Sequence, residues 1–461
     1  MALTNQSILA YCASITAFSL ISGAFSFYYV KVFMNFYHID EKWFQLSQVL
    51  FMIWNAVNDP LFAYIQDSTN LSFTKTRRES IMYSGPLFAL SFIIPWIPWG
   101  HGTWIVGLHL IVALFIWDTM FTFVGLAVCS LFSELSKDTN DRITLTRFAE
   151  VARLCGGTSV LFLEFTSNSL HNFWAFQITT AILALISWSL FRYTGKNAHT
   201  EYDLKEMNLS EKKEGDVDIS HAKTMDESYC KQTCQILSDR NFISFVVTNF
   251  FHQFHNTFLS NFTAIICDQL ISESDIPLSV RKTFYGATTI SASVLVIFGA
   301  PLIRRYSYFS VIRCSYMYTV VAGILMYIWG WNKPWLLMLF VLLDSCVTFA
   351  SFSLFNMPLS DIADDNMAKY KRKHPISSMV FGTNALITKP AISLAPMFVV
   401  AILNLYGYSG LKDQKGEGSE ELRTAMFTLV CFYSVIIGAI QFISWSFFSI
   451  RGKTNATCTD F

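Results

Sequence analysis

Charge is what this chain is short of. Only 14% of its 461 residues are Asp, Glu, Lys or Arg, where soluble domains carry about a quarter. The signs balance at 33 each, so no net charge is left to attract a nucleic acid. The ten cysteines show no paired spacing of a secreted disulfide framework, and Cys230 and Cys234 are one residue too far apart for a CxxC site. No basic segment precedes the first apolar run, which reads as an uncleaved first helix rather than a signal peptide. GxSxG, P-loop and HExxH signatures are absent, and the HQFH at 252–255 lacks the zincin spacing. An enzyme, a cofactor and a bound metal are therefore not expected.

Apolar surface is what the chain has instead. It is 53% hydrophobic, with 43 Phe, 12 Trp and a mean hydropathy of +0.40, which is a membrane composition. Runs long enough to span a bilayer, about 20 residues each, fall near 8–34, 43–66, 80–98, 104–132, 144–168 and 172–192. Six more follow near 240–270, 282–303, 309–331, 334–358, 377–405 and 422–448. The expected architecture is an all-α membrane protein of about twelve transmembrane helices. Residues 1–192 form one six-helix half and 240–450 the other. Between them, 193–239 is a cytoplasmic loop too hydrophilic to be buried and expected to be flexible, and 451–461 is a cytoplasmic tail.

Lys and Arg set the orientation. Lys75, Arg77 and Arg78, then Lys137 and Arg142, the central loop, Arg304 and Arg305, and Lys369 to Lys373 all fall on one set of alternate loops. Both termini are then cytoplasmic, with the plasma membrane as the default location and a monomer as the default state. The sequons at Asn5, Asn70, Asn208 and Asn455 fall on the cytoplasmic side and that at Asn261 within a span, so none is expected to be used.

The second span, VLFMIWNAVNDPLFAYIQD from Val49 to Asp67, carries the most chemistry. Asn55 and Asp59 stack one turn apart, Asn58 lies beside them, and Gln48 sits two turns before Asn55 on the same face. A carboxylate at membrane depth costs about 3 kcal/mol even on the lenient insertion scale, so it marks an ion or substrate site unless it is a packed contact between helices. Pro60 removes a backbone hydrogen bond next to Asp59. The eleventh span holds Thr388, Lys389 and Pro390 well inside its apolar run. That lysine needs a counter-ion, with Asp59 the first candidate and Asp118 or Asp344 the next.

Other polar residues lie inside spans. Asp118 and Thr122 are one turn apart on the fourth. Arg147, Glu150 and Arg153 open the fifth at salt-bridge spacing, as a structural feature of the cytoplasmic rim. On the seventh, Asn249, His252, Asn256 and Ser260 form a stripe suited to the wall of a wet cavity; His252 with His255 would need further ligands to hold a metal. Asp344 is a lone acid on the tenth, functional or structural.

WNAVNDPLFAYIQD resembles the second-helix signature of the glycoside–pentoside–hexuronide:cation symporters. DRITLTRF at 141–148 is similar to that family's loop into the fifth helix, LSDIADDN at 359–366 to its loop between the tenth and eleventh, and Lys389 to its eleventh-helix lysine. WNAVNDPLF, NFISFVVTNFFHQFHNTFLSNF and SMVFGTNALITKPAISLAP are also similar to segments of an animal branch of the same superfamily. The resemblance implies a major facilitator superfamily fold and secondary transport of a small-molecule solute by alternating access, coupled to Na+ or H+. It assigns Asn58, Asp59, Thr122 and Lys389 to the coupling-ion site, with Asn55 and Asp118 beside them. Gln48, Asn249, His252, Asn256 and Asp344 remain candidates for the solute cavity.

Three departures qualify the resemblance. Asn55 stands where the symporters bind the cation with an aspartate, Ile15 and Gly125 stand where they hold the sugar with aspartates, and Ala63 replaces a glycine. A galactoside is then not the expected solute. With Asn55 neutral, Asp59 and Lys389 already balance, so sodium coupling is expected to be weakened or lost unless Asp118 points inward and restores the charge. The competing expectation is a membrane scaffold or receptor that keeps the fold without transport.

Overall fold

A helix in lipid must satisfy its backbone internally and its polar side chains on neighbouring helices. The computed structural model describes residues 3–68, 74, 76–100, 102–168, 170–200, 202, 229–271, 276–372, 374–407 and 420–450, all in helices and their connections, with no strand among them. In chain order the helices are α1 (Asn5–Lys31), α2 (Glu41–Ser68), α3 (Arg77–Ile93), α4 (Thr103–Leu135), α5 (Thr139–Gly157), α6 (Ser159–Ser167) and α7 (Phe173–Asn197). Then come α8 (Tyr229–Leu237), α9 (Arg240–Leu270), α10 (Leu278–Trp329), α11 (Pro334–Ser353), α12 (Asn356–Lys369), α13 (Ser377–Asn404) and α14 (Glu420–Ser446). The sequons at Asn70, Asn208 and Asn455, and the tail 451–461, lie outside the described residues.

Local chemistry explains most helix ends. Thr4, Asn172 and Asp239 accept backbone N–H groups of the first turns of α1, α7 and α9. Thr76 caps α3 in a Thr-x-x-Glu pattern, accepting from Glu79 N at 3.3 Å. After α1 the helix widens into a π turn at Val32–Phe36, closed by Tyr37 N donating to Val32 O at 2.8 Å.

Three boundaries differ from the apolar runs. The run 144–168 breaks at Thr158 into α5 and α6, and α6 stops at Asn168 in the left-handed region (φ 46°). The runs 282–303 and 309–331 join without a loop, since Ser307 alone leaves the helical conformation (φ 66°, ψ 145°). The stretch 193–239 is not wholly hydrophilic surface. Ala198, Thr200 and Tyr202 are buried, and α8 forms at its end with Ile236 buried.

Among the described residues, seven helices are long and apolar enough to cross a membrane by length and composition. Helix α3 has only 17 residues, and α2, α5 and α9 carry polar residues such as Asn58, Asp59, Glu150 and His255 that lower their hydropathy.

The helices gather into two compact units, Met1–Ile236 with Leu359–Leu386, and Leu237–Pro358 with Ile387–Phe461. In the first, α1 packs on α5 and α7, α3 on α4 and α7, and α2 on α4. Its core is aromatic, with Phe25 stacked on Trp117 at 3.9 Å and Phe18 against Phe121 at 4.8 Å. In the second, α9 and α10 each pack on α11 and α14, around Phe258, Met338, Val341, Met426 and Tyr433.

Glycines permit the closest approaches. A Cβ added at Gly156 of α5 would lie 2.5 Å from Ser19 Cβ, 2.8 Å from Thr16 O and 3.0 Å from Leu20 N, all on α1. Two of those atoms are backbone and cannot rotate away. Gly156→Ala is expected to destabilise the protein by about 1–3 kcal/mol, in the range of other overpacking changes. Thermal unfolding in detergent checks this, with the exposed Gly157→Ala, whose Cβ meets nothing within 4 Å, as the control.

Candidate functional site

The polar face of α2 is turned toward α4, and three hydrogen bonds join the two helices at successive levels. Trp54 Nε1 donates to Thr119 Oγ1 at 3.1 Å, Asn58 Nδ2 donates to Asp118 Oδ2, and Gln66 Nε2 donates to the Phe123 carbonyl at 2.7 Å. The middle level is the chemical one. Asn58, Asp59, Asp118 and Thr122 are all buried, and Asn55 is half-buried one turn from Asp59. Asn58 Oδ1 and the Thr122 hydroxyl are enclosed without a hydrogen-bond partner among the described residues. Asn58 and Asp118 thus bring an amide and a carboxylate into contact, with the Thr122 hydroxyl one turn along α4 and the buried Asp59 carboxylate on the next residue of α2; oxygens of these kinds are hard ligands. Gln48 is half-buried, with its side chain against Tyr29 of α1.

The glycine missing at Ala63 has a counterpart across the helix contact. Ala63 is fully buried, and a Cβ at Gly382 of α13 would meet its Cβ at 2.6 Å and the Asp59 carbonyl oxygen at 3.0 Å. The small residue that this crossing needs is supplied by α13. Below it, Ser378 bridges Ser130 on α4 at 2.8 Å and Gln66 Oε1 at 3.1 Å.

Lys389 is half-buried on α13, in the second unit. In that unit Asn249 and His252 are buried, Asn256 is half-buried, and Ser260 at the end of the expected stripe is exposed. His252 lies against Phe355, ring centroids 4.6 Å apart, with Nδ1 3.2 Å from Gln441 Nε2 of α14. Asp344 has no exposed surface, and its Oδ2 accepts from His255 Nε2 at 3.1 Å and Ser434 Oγ at 2.9 Å. His255 falls off the Asn249–His252–Asn256 stripe. The signal that finds it is the demand of a buried acid for a donor.

Sequence reasoning also missed an ionic system in the first unit. Arg142, 1% exposed, reaches Asp361 at 2.5 Å and Asp364 at 2.6 Å and donates to the Ser133 and Ser136 carbonyls at 3.2 and 2.9 Å. Arg142, Asp361 and Asp364 are three of the six charges of the DRITLTRF and LSDIADDN segments, brought together by the fold. Beside them Arg77 pairs with Asp67 and with Glu134 at 2.8 Å, and Asp67 Oδ2 accepts from Met379 N at 2.6 Å. Of the expected trio, Arg153 pairs with Glu150.

Helices of this length and composition, with buried acids on the second, fourth and tenth spans, define a polytopic membrane protein. The chain belongs to the family described as MFS/sugar transport protein, whose profile matches residues 10–451. It is thus an integral multi-pass membrane protein of a transporter family. Its sequence is 26% identical over 469 residues to Transmembrane protein 180 of Gallus gallus, covering 94% of this chain and 91% of that one. The Mus musculus protein of the same name is 25% identical over 485 residues, covering 95% and 91%. Its fold is shared with the proton:xylose symporter XylE bound to 6-bromo-6-deoxy-D-glucose (TM-score 0.62, 13% identical, covering 96% of this chain and 94% of that one). It is shared too with a bacterial homologue of the iron transporter ferroportin in the outward-facing state (TM-score 0.60, 12% identical, covering 97% and 100%).

Removing one member of a buried ion pair leaves the other charge stranded, at a cost of roughly 3–5 kcal/mol. Arg142→Ala strands two carboxylates and is expected to lower stability by about that much. Asp364→Asn leaves Asp361 to neutralise the guanidinium and should cost clearly less. Thermal unfolding of the two variants side by side checks the order.

Proposed function

We propose that this protein is a cation-coupled secondary transporter of a small solute, working by alternating access, with Asn55, Asn58, Asp59, Asp118 and Thr122 of the first unit as its coupling-ion residues and with Lys389 of the second unit, which the resemblance assigns to the same role, also needed for coupling. The observation that carries the reading is the hydrogen bond from Asn58 to Asp118. It turns a second carboxylate into the cluster and answers the neutral Asn55. Two buried carboxylates in the first unit leave negative charge that a bound monovalent cation can neutralise. Asn58 Oδ1 and Thr122 Oγ1 add neutral oxygens of the kind that favour Na+, while the carboxylates alone would accept H+. Both termini are read as cytoplasmic from the Lys and Arg bias, and the plasma membrane is the default location.

The solute is not read as a galactoside. Gly125, where the symporters keep a sugar-binding acid, faces an aromatic wall, since a Cβ there would touch Phe18 Cζ at 3.4 Å and Phe18 packs on Phe121. A solute with an apolar face fits such a wall. The same loss of sugar-binding acids favours a second reading, a non-transporting relative that keeps the fold as a scaffold or receptor.

One experiment separates the two. The purified chain in liposomes is offered labelled sugars, lysolipids and organic acids under imposed Na+ or H+ gradients. Gradient-driven uptake of at least one solute is expected, abolished by Asp59→Asn and by Lys389→Ala in protein that still inserts. Asp118→Asn is expected to reduce the stimulation by cation about tenfold, equivalent to about 1.4 kcal/mol. Normal transport by both Asp59→Asn and Lys389→Ala would overturn the site, and no uptake of any solute would favour the scaffold.

A further inference from the structure

The second unit holds a buried acid that the coupling site does not use. Asp344 of α11 is 0% exposed, His255 of α9 is 1% exposed, and Ser434 of α14 is 0% exposed, so three helices meet on one carboxylate. Both donors share Oδ2, and Oδ1 is enclosed with no hydrogen-bond partner among the described residues. Asp344 has no lysine or arginine partner among them either.

A structural pin does not account for this arrangement. An asparagine would tie the same three helices together without placing a charge in the membrane interior. Half of the carboxylate's acceptor capacity is also left unfilled, which native structures rarely tolerate in a buried group. Charge counting gives the alternative. A carboxylate beside a neutral imidazole carries one negative charge, whereas the same pair with an added proton is neutral, whichever of the two holds it. Enclosure in lipid favours the neutral form, and contact with water relieves the need for it.

We propose that His255 and Asp344 form a proton-binding site. The pair takes a proton from water when this part of the unit is hydrated, keeps it as a net-neutral pair when enclosed, and returns it to water on rehydration. Ser434 is a positioning residue that fixes Oδ2 and leaves Oδ1 as the open acceptor. The titratable groups around the pair are His252 on α9, Tyr316 and Tyr318 on α10, Cys346 on α11 and Tyr433 on α14. Tyr433 is engaged elsewhere, donating to the Phe254 carbonyl at 2.9 Å. None of the tyrosines or the cysteine brings a positive charge that would replace the proton.

The test needs neither a solute nor transport, so its outcome is independent of the coupling site proposed above. Infrared difference spectra between acidic and alkaline buffer are recorded on the full chain in lipid, in H2O and in D2O. The wild type is expected to show a buried-carboxyl band together with imidazole bands in the same titration. Asp344→Asn should lose the carboxyl band. His255→Gln should keep it but shift its midpoint, and Ser434→Ala should shift its frequency, which a merely structural contact would not do. Superimposable spectra of the wild type and Asp344→Asn would overturn the proposal. If Asp344→Asn does not fold, His255→Gln decides, and a carboxyl midpoint unmoved by that change overturns it equally.

Discussion

Lipid offers no hydrogen bonds, so each polar group carried into a span is answered by another helix or is left at a cost of several kcal/mol. Apolar packing alone cannot select those neighbours, because the surrounding chains are as apolar as leucine. The contacts that choose are polar and few. Asn58 on Asp118 and Gln66 on the Phe123 carbonyl pair α2 with α4. His255 and Ser434 on Asp344 gather α9, α11 and α14, and Trp445 Nε1 on the Phe309 carbonyl at 3.0 Å joins α14 to the second part of α10. Several of the polar residues that define candidate sites, Asn58, Asp118, His252 and Asp344, are therefore also residues that join one helix to another. A substitution at these positions changes chemistry and assembly at once, which is why paired conservative variants are more informative than truncations.

The second selector is close approach, and it recurs in both units at matching places in the helix order. In the first unit Gly85 of α3 and Gly195 of α7 meet Phe191 Cβ and the Arg78 carbonyl at 2.7 and 3.0 Å from their virtual Cβ atoms. In the second, Gly323 on the later part of α10 meets the Cys431 carbonyl at 3.0 Å, and Gly438 of α14 meets Val320 Cγ2 at 3.0 Å. Counting spans, these are the third with the sixth and the ninth with the twelfth. A pair of small residues placed alike in two sets of six spans is what an internal repeat leaves behind once the rest of the sequence has diverged.

The spans were legible because hydropathy is a local property. Arg240–Leu270, Ser377–Asn404 and Phe173–Asn197 lie within a few residues of the apolar runs that foretold them. The interruptions were less legible. The break at Thr158 falls inside the run 144–168 and α8 forms within a stretch dominated by charge, whereas Ser307 lies in the gap between the runs 282–303 and 309–331, beside Arg304 and Arg305. At the candidate sites the residues could be nominated but their partners could not. Asp344 is 89 positions from His255, and Arg142 is 219 from Asp361. Helical periodicity says which residues share a face and nothing about which helix that face meets. The quoted segments DRITLTRF and LSDIADDN had both been noticed as resemblances, yet only the fold explains why both are charged.

The partners chosen for the two acids differ in kind. Asn58 beside Asp118 is an amide, which neither takes up nor gives away a proton at ordinary pH, so the charge of that cluster is left for a cation from outside. His255 beside Asp344 is an imidazole, the side chain whose protonation is most easily changed near neutral pH. On the readings proposed, the first arrangement suits a resident cation with several oxygen ligands and the second suits a single mobile proton. Carboxylates alone do not make that distinction, since an aspartate serves either role. The neighbour that hydrogen-bonds each carboxylate does, and in this chain one neighbour is an amide and the other an imidazole.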